Sequence, residues 1–311
     1  MTTCTRRLAL TVTLGSLLAA ALLFHVPNAP AQATPAAAAP APATDALPTL
    51  YLIGDSTVNN TANGALGWGA PFIKLFDPAK ITVKNTAIAG RSARSFYSEG
   101  RWDGPNGIKT LLKPGDYVLM EMGHNDGGNI AGGAAAKGRP DLPGLGDETA
   151  TGLSSAGKDE TVHTYGWYMK LYVTDTKAKG ATPVMLTMIP HNRWNGAKMV
   201  RNEVNSYVKW SKQIAESENL FFIDVNQISA TRLEKETQAA VTSKYYTPPG
   251  DGTHTNPAGA QLNAESVVMG IRALKDLKLN DYLTDEAKKL DPAATTDVAA
   301  PKPATAPAAN K

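Results

Sequence analysis

The chain has 311 residues, with 31 Lys and Arg against 28 Asp and Glu and a formal net charge of +3. Two of those cations, Arg6 and Arg7, lie in a candidate leader; removing them from +3 leaves +1, too little clustered excess for a general nucleic-acid binder. Hydrophobic residues at 42% and charged residues at 19% describe a globular chain, and the single cysteine, Cys4, lies in the leader, which excludes a thiolate nucleophile, a Cys-bound zinc or an internal disulfide in the mature protein.

Residues 1–33 read as an export signal. Arg6-Arg7 is the basic region, Leu8–Phe24 is an uncharged and mostly apolar stretch, and Ala31-Gln32-Ala33 offers a small-x-small cleavage site. Thr11, Thr13, Gly15 and Ser16 dilute the apolar stretch, which favours cleavage over a membrane anchor. A secreted or periplasmic protein follows, with no stable membrane association once the signal is cut; two arginines leave the export route open. Residues 34–45 are an Ala/Pro-rich linker and 291–311 an Ala/Pro-rich tail, expected to be disordered because neither has apolar bulk to bury. Residues 46–290 remain as one α/β domain without an internal repeat.

Five apolar runs are predicted strands: Leu50–Ile53, Ile81–Ile88, Tyr117–Met122, Pro183–Ile189 and Leu220–Val225. They lack polar alternation, as strands buried on both faces of a parallel sheet do. Helical spacing links Tyr168, Leu171, Tyr172 and Ala178 up to a stop at Gly180, and links Val200, Val204, Val208 and Ile214 in a second helix. In the last helix Asn256 is the cap, Pro257 the first helical residue, and Ala260, Ala264, Val267, Ile271 and Leu274 form the apolar face. Strands alternating with helices predict a doubly wound three-layer α/β/α fold, whose ligands sit beyond the carboxyl ends of the strands.

Three of those strand ends run into Gly54-Asp55-Ser56-Thr57, Gly90-Arg91-Ser92 and Gly123-His124-Asn125-Asp126, while Asp251-Gly252-Thr253-His254 precedes the last helix. Ser56 alone reads first as a helix cap, with a nucleophile at a strand-to-helix turn as the alternative. A nucleophilic hydroxyl needs a base titrating near neutrality, and His254 carries an acid, Asp251, three residues earlier where one turn aims it at Nδ1. Asn125 offers an amide N–H and Gly90 a backbone N–H to an oxyanion; a loop residue and a glycine for positive φ are the alternatives.

Together these residues resemble the four ordered blocks of the SGNH (GDSL-type) hydrolases. Gly54–Val58, Gly67-Trp68-Gly69, Asn85–Arg94, Gly100-Arg101-Trp102, Thr164–Trp167 and Asp251–His254 are similar, more narrowly, to the rhamnogalacturonan acetylesterases. The likeness spans Leu50 to Leu277. It implies a flavodoxin-like five-stranded parallel sheet and hydrolysis of acetyl esters on pectin without metal or cofactor. It implies Ser56 as nucleophile, His254 as base and Asp251 as its partner, with Ser56, Gly90 and Asn125 as oxyanion donors.

An acetylated, pectic polysaccharide is then the expected partner, and nucleic acid is not. Trp68, Trp102 and Trp194 are candidate platforms for sugar rings, with core packing as the competing use. Arg91, Arg94 and Arg101 are candidate partners for uronate carboxylates, with surface salt bridging as the alternative. A lipid esterase or thioesterase of the same superfamily would line its cleft with aliphatics, whereas Gly127–Gly157 is glycine-rich and polar. A glycosidase would leave Ser56 and His254 idle, and a non-catalytic wall- or matrix-binding protein would not react at Ser56.

Overall fold

In the computed structural model, residues 46–132, 136–201, 206–247 and 250–303 are described, and the expected leader and linker at 1–45 lie outside them. The main sheet takes β1 (Thr49–Ile53), β2 (Thr82–Asn85), β3 (Tyr117–Met120), β4 (Thr182–Leu186), β5 (Phe221–Ile223) and β6 (Val298–Ala299), in the order β6-β5-β4-β3-β1-β2. The strands β1 to β5 are parallel, as expected, and β6 adds an antiparallel edge. Buried along their whole length, β1 and β3 lie inside the sheet, while β2, alternately exposed, takes an edge.

Alternation along each strand divides the core in two. Leu50, Leu52, Leu119, Val184, Leu186 and Ile223 face one side; Tyr51, Ile53, Val118, Met120, Met185 and Phe222 face the other. Six helices cover these faces: α1 (Gly69–Ile73), α2 (Ala93–Ser98), α3 (Tyr165–Ala178), α4 (Tyr207–Ser217), α5 (Val225–Leu233) and α6 (Pro257–Ala273). The first layer receives α1, α5 and α6 through Phe72, Ile228, Val267 and Ile271; the second receives α2, α3 and α4 through Phe96, Tyr172 and Ile214. The result is the three-layer α/β/α architecture. The chain leaves β1 for β2 on one side and crosses to β3 on the other, so the loops after these strands diverge at a switch point, where such folds place a ligand. No helix among the described residues is long and apolar enough to cross a membrane.

The expected helix signals hold at the start of α6 and at the end of α3. Asn256 accepts from the Ala258 and Gly259 N–H groups (3.0 and 3.1 Å) ahead of Pro257, and Gly180, at φ +70°, follows the end of α3. The helix expected from Val200 starts later. Met199 belongs to a small hairpin with Trp194, Val200 is exposed, and Ser206 caps α4 by accepting from Lys209 N–H; residues 202–205 lie outside the described ones.

The expected tail also needs correction. Ala293 N–H donates to Met269 O (2.9 Å), Asp224 N–H to Asp297 O (2.8 Å), and Val298 and Ala299 pair with Ile223 and Phe222. A sheet edge offers unpaired backbone groups that any non-proline residue can satisfy, so side-chain poverty does not keep a segment off it. The ordered domain therefore runs past Leu290 to residue 303; the remaining tail residues, 304–311, lie outside the described ones.

Candidate active site

The switch point gathers the expected loops. Ile88 N–H donates to Gly54 O (3.1 Å), which docks the loop after β2 on the loop after β1. Gly90 turns at φ +75°, a left-handed conformation that favours glycine and points its loop back at Ser56. From the loop before α6, His254 brings Nε2 to 2.8 Å from Ser56 Oγ. Its other nitrogen, Nδ1, lies 2.7 Å from Asp251 Oδ2. Asp251 Oδ1 accepts from the backbone N–H groups of Thr253 (2.8 Å) and His254 (2.9 Å). Partial burial acts to raise the Asp251 pKa, but these N–H donors and the His254 ring outweigh it and hold the carboxyl below its usual range. The carboxylate is therefore charged, and a charged acceptor at Nδ1 leaves Nε2 free to take the Ser56 proton.

Across the opening lies Asn125, whose amide is held at both ends. Nδ2 donates to Arg91 O (3.2 Å), and Oδ1 accepts from Arg139 Nη1 (2.8 Å). Ser56, Asn60, Gly90, Asn125, Arg139 and His254 are among the residues lining a cleft of about 690 Å³. Lys137 stands on the same wall. Such a cleft suits a small acyl group attached to a larger, hydrated ligand.

A buried acidic floor supports the nucleophile loop. The Thr57 hydroxyl stands between Asp55 Oδ1 (2.9 Å) and Glu121 Oε1 (3.0 Å), and Ile189 N–H also donates to Glu121 Oε1 (3.0 Å). Burial, reinforced by Asp55, pushes the Glu121 carboxyl up to about 8, and burial raises Asp55 as well. Above the floor His124 Nδ1 lies 3.3 Å from His191 Nε2; burial lowers these imidazoles to about 3 and about 4. Both are neutral at physiological pH.

The expected sugar contacts fare differently from the triad residues. Trp68 is 1% exposed, packs edge-on against Phe72 and gives its indole N–H to Glu121. Trp102 is fully buried, against Tyr172 and with Nε1 donating to Asp175 (2.8 Å). Neither is a sugar platform, because a large aromatic next to a motif loop is also the piece that fills the space beneath it. Half-buried Trp194 donates Nε1 to Asn192 Oδ1 (2.7 Å), and Asn192 N–H in turn holds Gly252 O (2.7 Å), so Trp194 props the His254 loop. Arg94 is buried, spending its guanidinium on Glu160, Pro140 O and Leu153 O. Arg91 and Arg101 share Glu99 (3.1 and 3.3 Å), which neutralises much of their charge; Arg91 still borders a hollow beside Gly90 and Lys137, and Arg101 borders neither hollow nor cleft.

Sequence reasoning missed Lys137, Arg139 and Glu121. The two cations sit in a Gly/Ala-rich run with no motif, whose fold depends on Arg94 and on a hairpin of Thr149–Leu153 with Asp159–His163. Glu121 did leave a signal, an acid inside an apolar strand run.

A hydroxyl, an imidazole and a carboxylate in series, at the switch point of a three-layer α/β/α fold, are the parts of a serine hydrolase. The model of the GDSL-like lipase/acylhydrolase family matches residues 52–262. A rhamnogalacturonan acetylesterase of Emericella nidulans is 34% identical over 236 residues, covering 76% of this chain and 89% of that one. A probable rhamnogalacturonan acetylesterase of Bacillus subtilis, YesY, is 30% identical over 231 residues, covering 72% and 93%. The chain belongs to the GDSL-like lipase/acylhydrolase family and is a serine esterase. The crystal structure of Bacillus subtilis protein YxiM shares the fold, with a TM-score of 0.57 at 24% identity; the match covers 74% of this chain and 58% of that longer one.

Proposed function

We propose that this esterase is a secreted enzyme that removes O-acetyl groups from acidic pectic polysaccharide through an acetyl-serine intermediate. The observation that carries the reading is the unbroken relay from Ser56 Oγ through His254 to Asp251, opening into a polar cleft. His254 Nε2 takes the Ser56 proton as Oγ bonds to the acetyl carbon. The oxyanion so formed faces the N–H groups of Ser56 and Gly90 and the Asn125 amide. Collapse breaks the bond to the sugar oxygen, which receives the proton from His254. Water then attacks the acetyl-serine by the same route, releasing acetate and restoring Ser56.

Three features support the substrate class. Two relatives carry the name rhamnogalacturonan acetylesterase. The cleft wall is built from Asn60, Asn63, Lys137 and Arg139 rather than from the long aliphatics a lipid chain needs. Lys137 and Arg139 also bring positive charge to the cleft wall, which suits a uronate carboxylate, the task first assigned to Arg91, Arg94 and Arg101. Secretion rests on residues 1–33 and is tested by finding Thr34 as the N-terminus of protein recovered outside the cytoplasm. The substrate is tested by acetate release from acetylated rhamnogalacturonan, homogalacturonan and xylan in parallel, with Ser56→Ala as the blank. Faster release from xylan than from either pectic polymer would overturn it.

A further inference from the structure

We infer that Arg139 is a positioning residue that selects the working orientation of the Asn125 amide. The inference rests on the catalytic reading above, in which Asn125 Nδ2 serves the oxyanion. An amide has two nearly isosteric faces, and a flip by half a turn exchanges a donor for an acceptor. Flipped, Asn125 would present Oδ1 to the reaction's oxyanion, and repulsion would replace stabilisation. The orientation is therefore worth as much as the presence of the side chain.

Three neighbours decide that orientation. Arg91 O accepts from Nδ2 at 3.2 Å, a long hydrogen bond to a neutral group. The Asp55 carboxyl lies near the amide, but its Oδ1 is taken by Thr57 and its Oδ2 has no hydrogen-bond partner, so it adds little. Arg139 Nη1 donates to Oδ1 at 2.8 Å, and this bond is short and charge-assisted. In the flipped state the guanidinium would meet an NH₂ group, donor against donor. Arg139 thus contributes the strongest bias of the three.

The guanidinium is delivered from a fixed point. Arg139 O accepts from the Ser92 hydroxyl (2.5 Å), and Nε donates to Ala136 O (3.3 Å). Two residues on, Asp141 N–H donates to Asp126 O (2.9 Å), tying the segment to the loop that carries Asn125. A Cβ placed on Gly90 would lie 3.7 Å from Arg139 Nη1, so the guanidinium also sits over the second oxyanion loop. Because backbone bonds anchor the segment, truncating the side chain leaves its path intact.

The test measures kcat and KM on 4-nitrophenyl acetate, a neutral ester that removes any attraction between Arg139 and a substrate carboxylate. Asn125→Ala is expected to lower kcat by about 10²–10³. Arg139→Ala should lower kcat roughly tenfold, the scale of one lost charge-assisted bond, with KM little changed. In the Asn125→Ala background, Arg139→Ala should do nothing further, because there is no amide left to orient. Arg139→Lys should recover part of the loss, and added guanidinium should rescue Arg139→Ala but not Asn125→Ala. Wild-type kcat in Arg139→Ala beside an impaired Asn125→Ala overturns the proposal alone, as do losses that multiply in the double variant. Wild-type kcat in Asn125→Ala overturns the oxyanion reading beneath it. If Arg139→Ala melts early, Arg139→Met, which keeps the aliphatic stem but offers no donor to Asn125, carries the same comparison.

Discussion

Asp251 and Glu121 are carboxyl groups at two depths of one site, and their environments drive them apart. The Asp251 side chain is 37% exposed and receives two backbone N–H bonds besides the His254 ring, so it stays charged. The Glu121 side chain is 1% exposed, faces Asp55 across the Thr57 hydroxyl, and is pushed up to about 8. The rim thus keeps a negative charge available to steady a cationic imidazole, while the floor keeps its acid protonated and ties together the ends of β1, β3 and β4. Access to donors and water, not residue type, sets which task an acid can take.

If rim residues act on turnover and floor residues on stability, substitutions should separate along that line. The largest effect belongs to Ser56→Ala, expected to cost on the order of 10⁵–10⁶ in kcat at unchanged Tm, because a rim hydroxyl leaves no core cavity. Retained acetate release by a folded Ser56→Ala protein would remove the nucleophile assignment. Next comes Asp251→Asn, which keeps the shape but withdraws the charge at Nδ1; about 10⁴ in kcat is expected, again without a change in Tm. Trp68→Phe should show the opposite signature. Losing the indole donor to Glu121 should cost about 1–3 kcal/mol, or roughly 2–4 °C of Tm per kcal/mol, while KM for the polymer stays put. A raised KM at unchanged Tm would return Trp68 to the role of sugar platform.

The smallest effect is a slope. An unfolded glutamic acid ionises near its ordinary 4.5, whereas folded Glu121 holds its proton up to about 8. The folded state therefore binds the extra proton between those values, so its stability is complete below 4.5 and declines as pH rises through about 8. The decline is at most about 1.4 kcal/mol per pH unit for one group. Melting curves from pH 5 to 8 should show Glu121→Gln losing less Tm with rising pH than the wild type, while Asp55, Asp126 and Asp141, raised by burial, and His124 and His191, lowered by it, contribute to the slope of both proteins. Equal slopes in the two proteins would mean that Glu121 is already ionised in the folded state.

The triad was legible because its geometry is local or follows directly from topology. Asp251 reaches His254 within one turn, and parallel strands deliver Ser56, Gly90 and Asn125 to the same rim. The substrate wall was not. Trp68 and Trp102 lie beside motifs on the page, yet their indoles point inward, since whether an aromatic faces core or cleft depends on what lies across from it. Arg91 and Arg101 looked free only because Glu99 had not been placed between them. Val298 and Ala299 looked like tail because strand addition is a transaction between backbones, which composition does not record.

By itself the sequence determined the alternation of strands and helices, the α6 cap, and the order of the loops bearing Ser56, Gly90, Asn125 and His254. These follow from periodicity and short-range hydrogen bonding, which neighbouring residues settle among themselves. Only the tertiary structure decided that Glu121 is a neutral buried acid, that Arg94 is a strut and Arg139 a partner of Asn125, and that the tail closes the sheet. Each of those outcomes depends on desolvation or on a partner fourteen or more residues away, and neither quantity exists until the chain has folded.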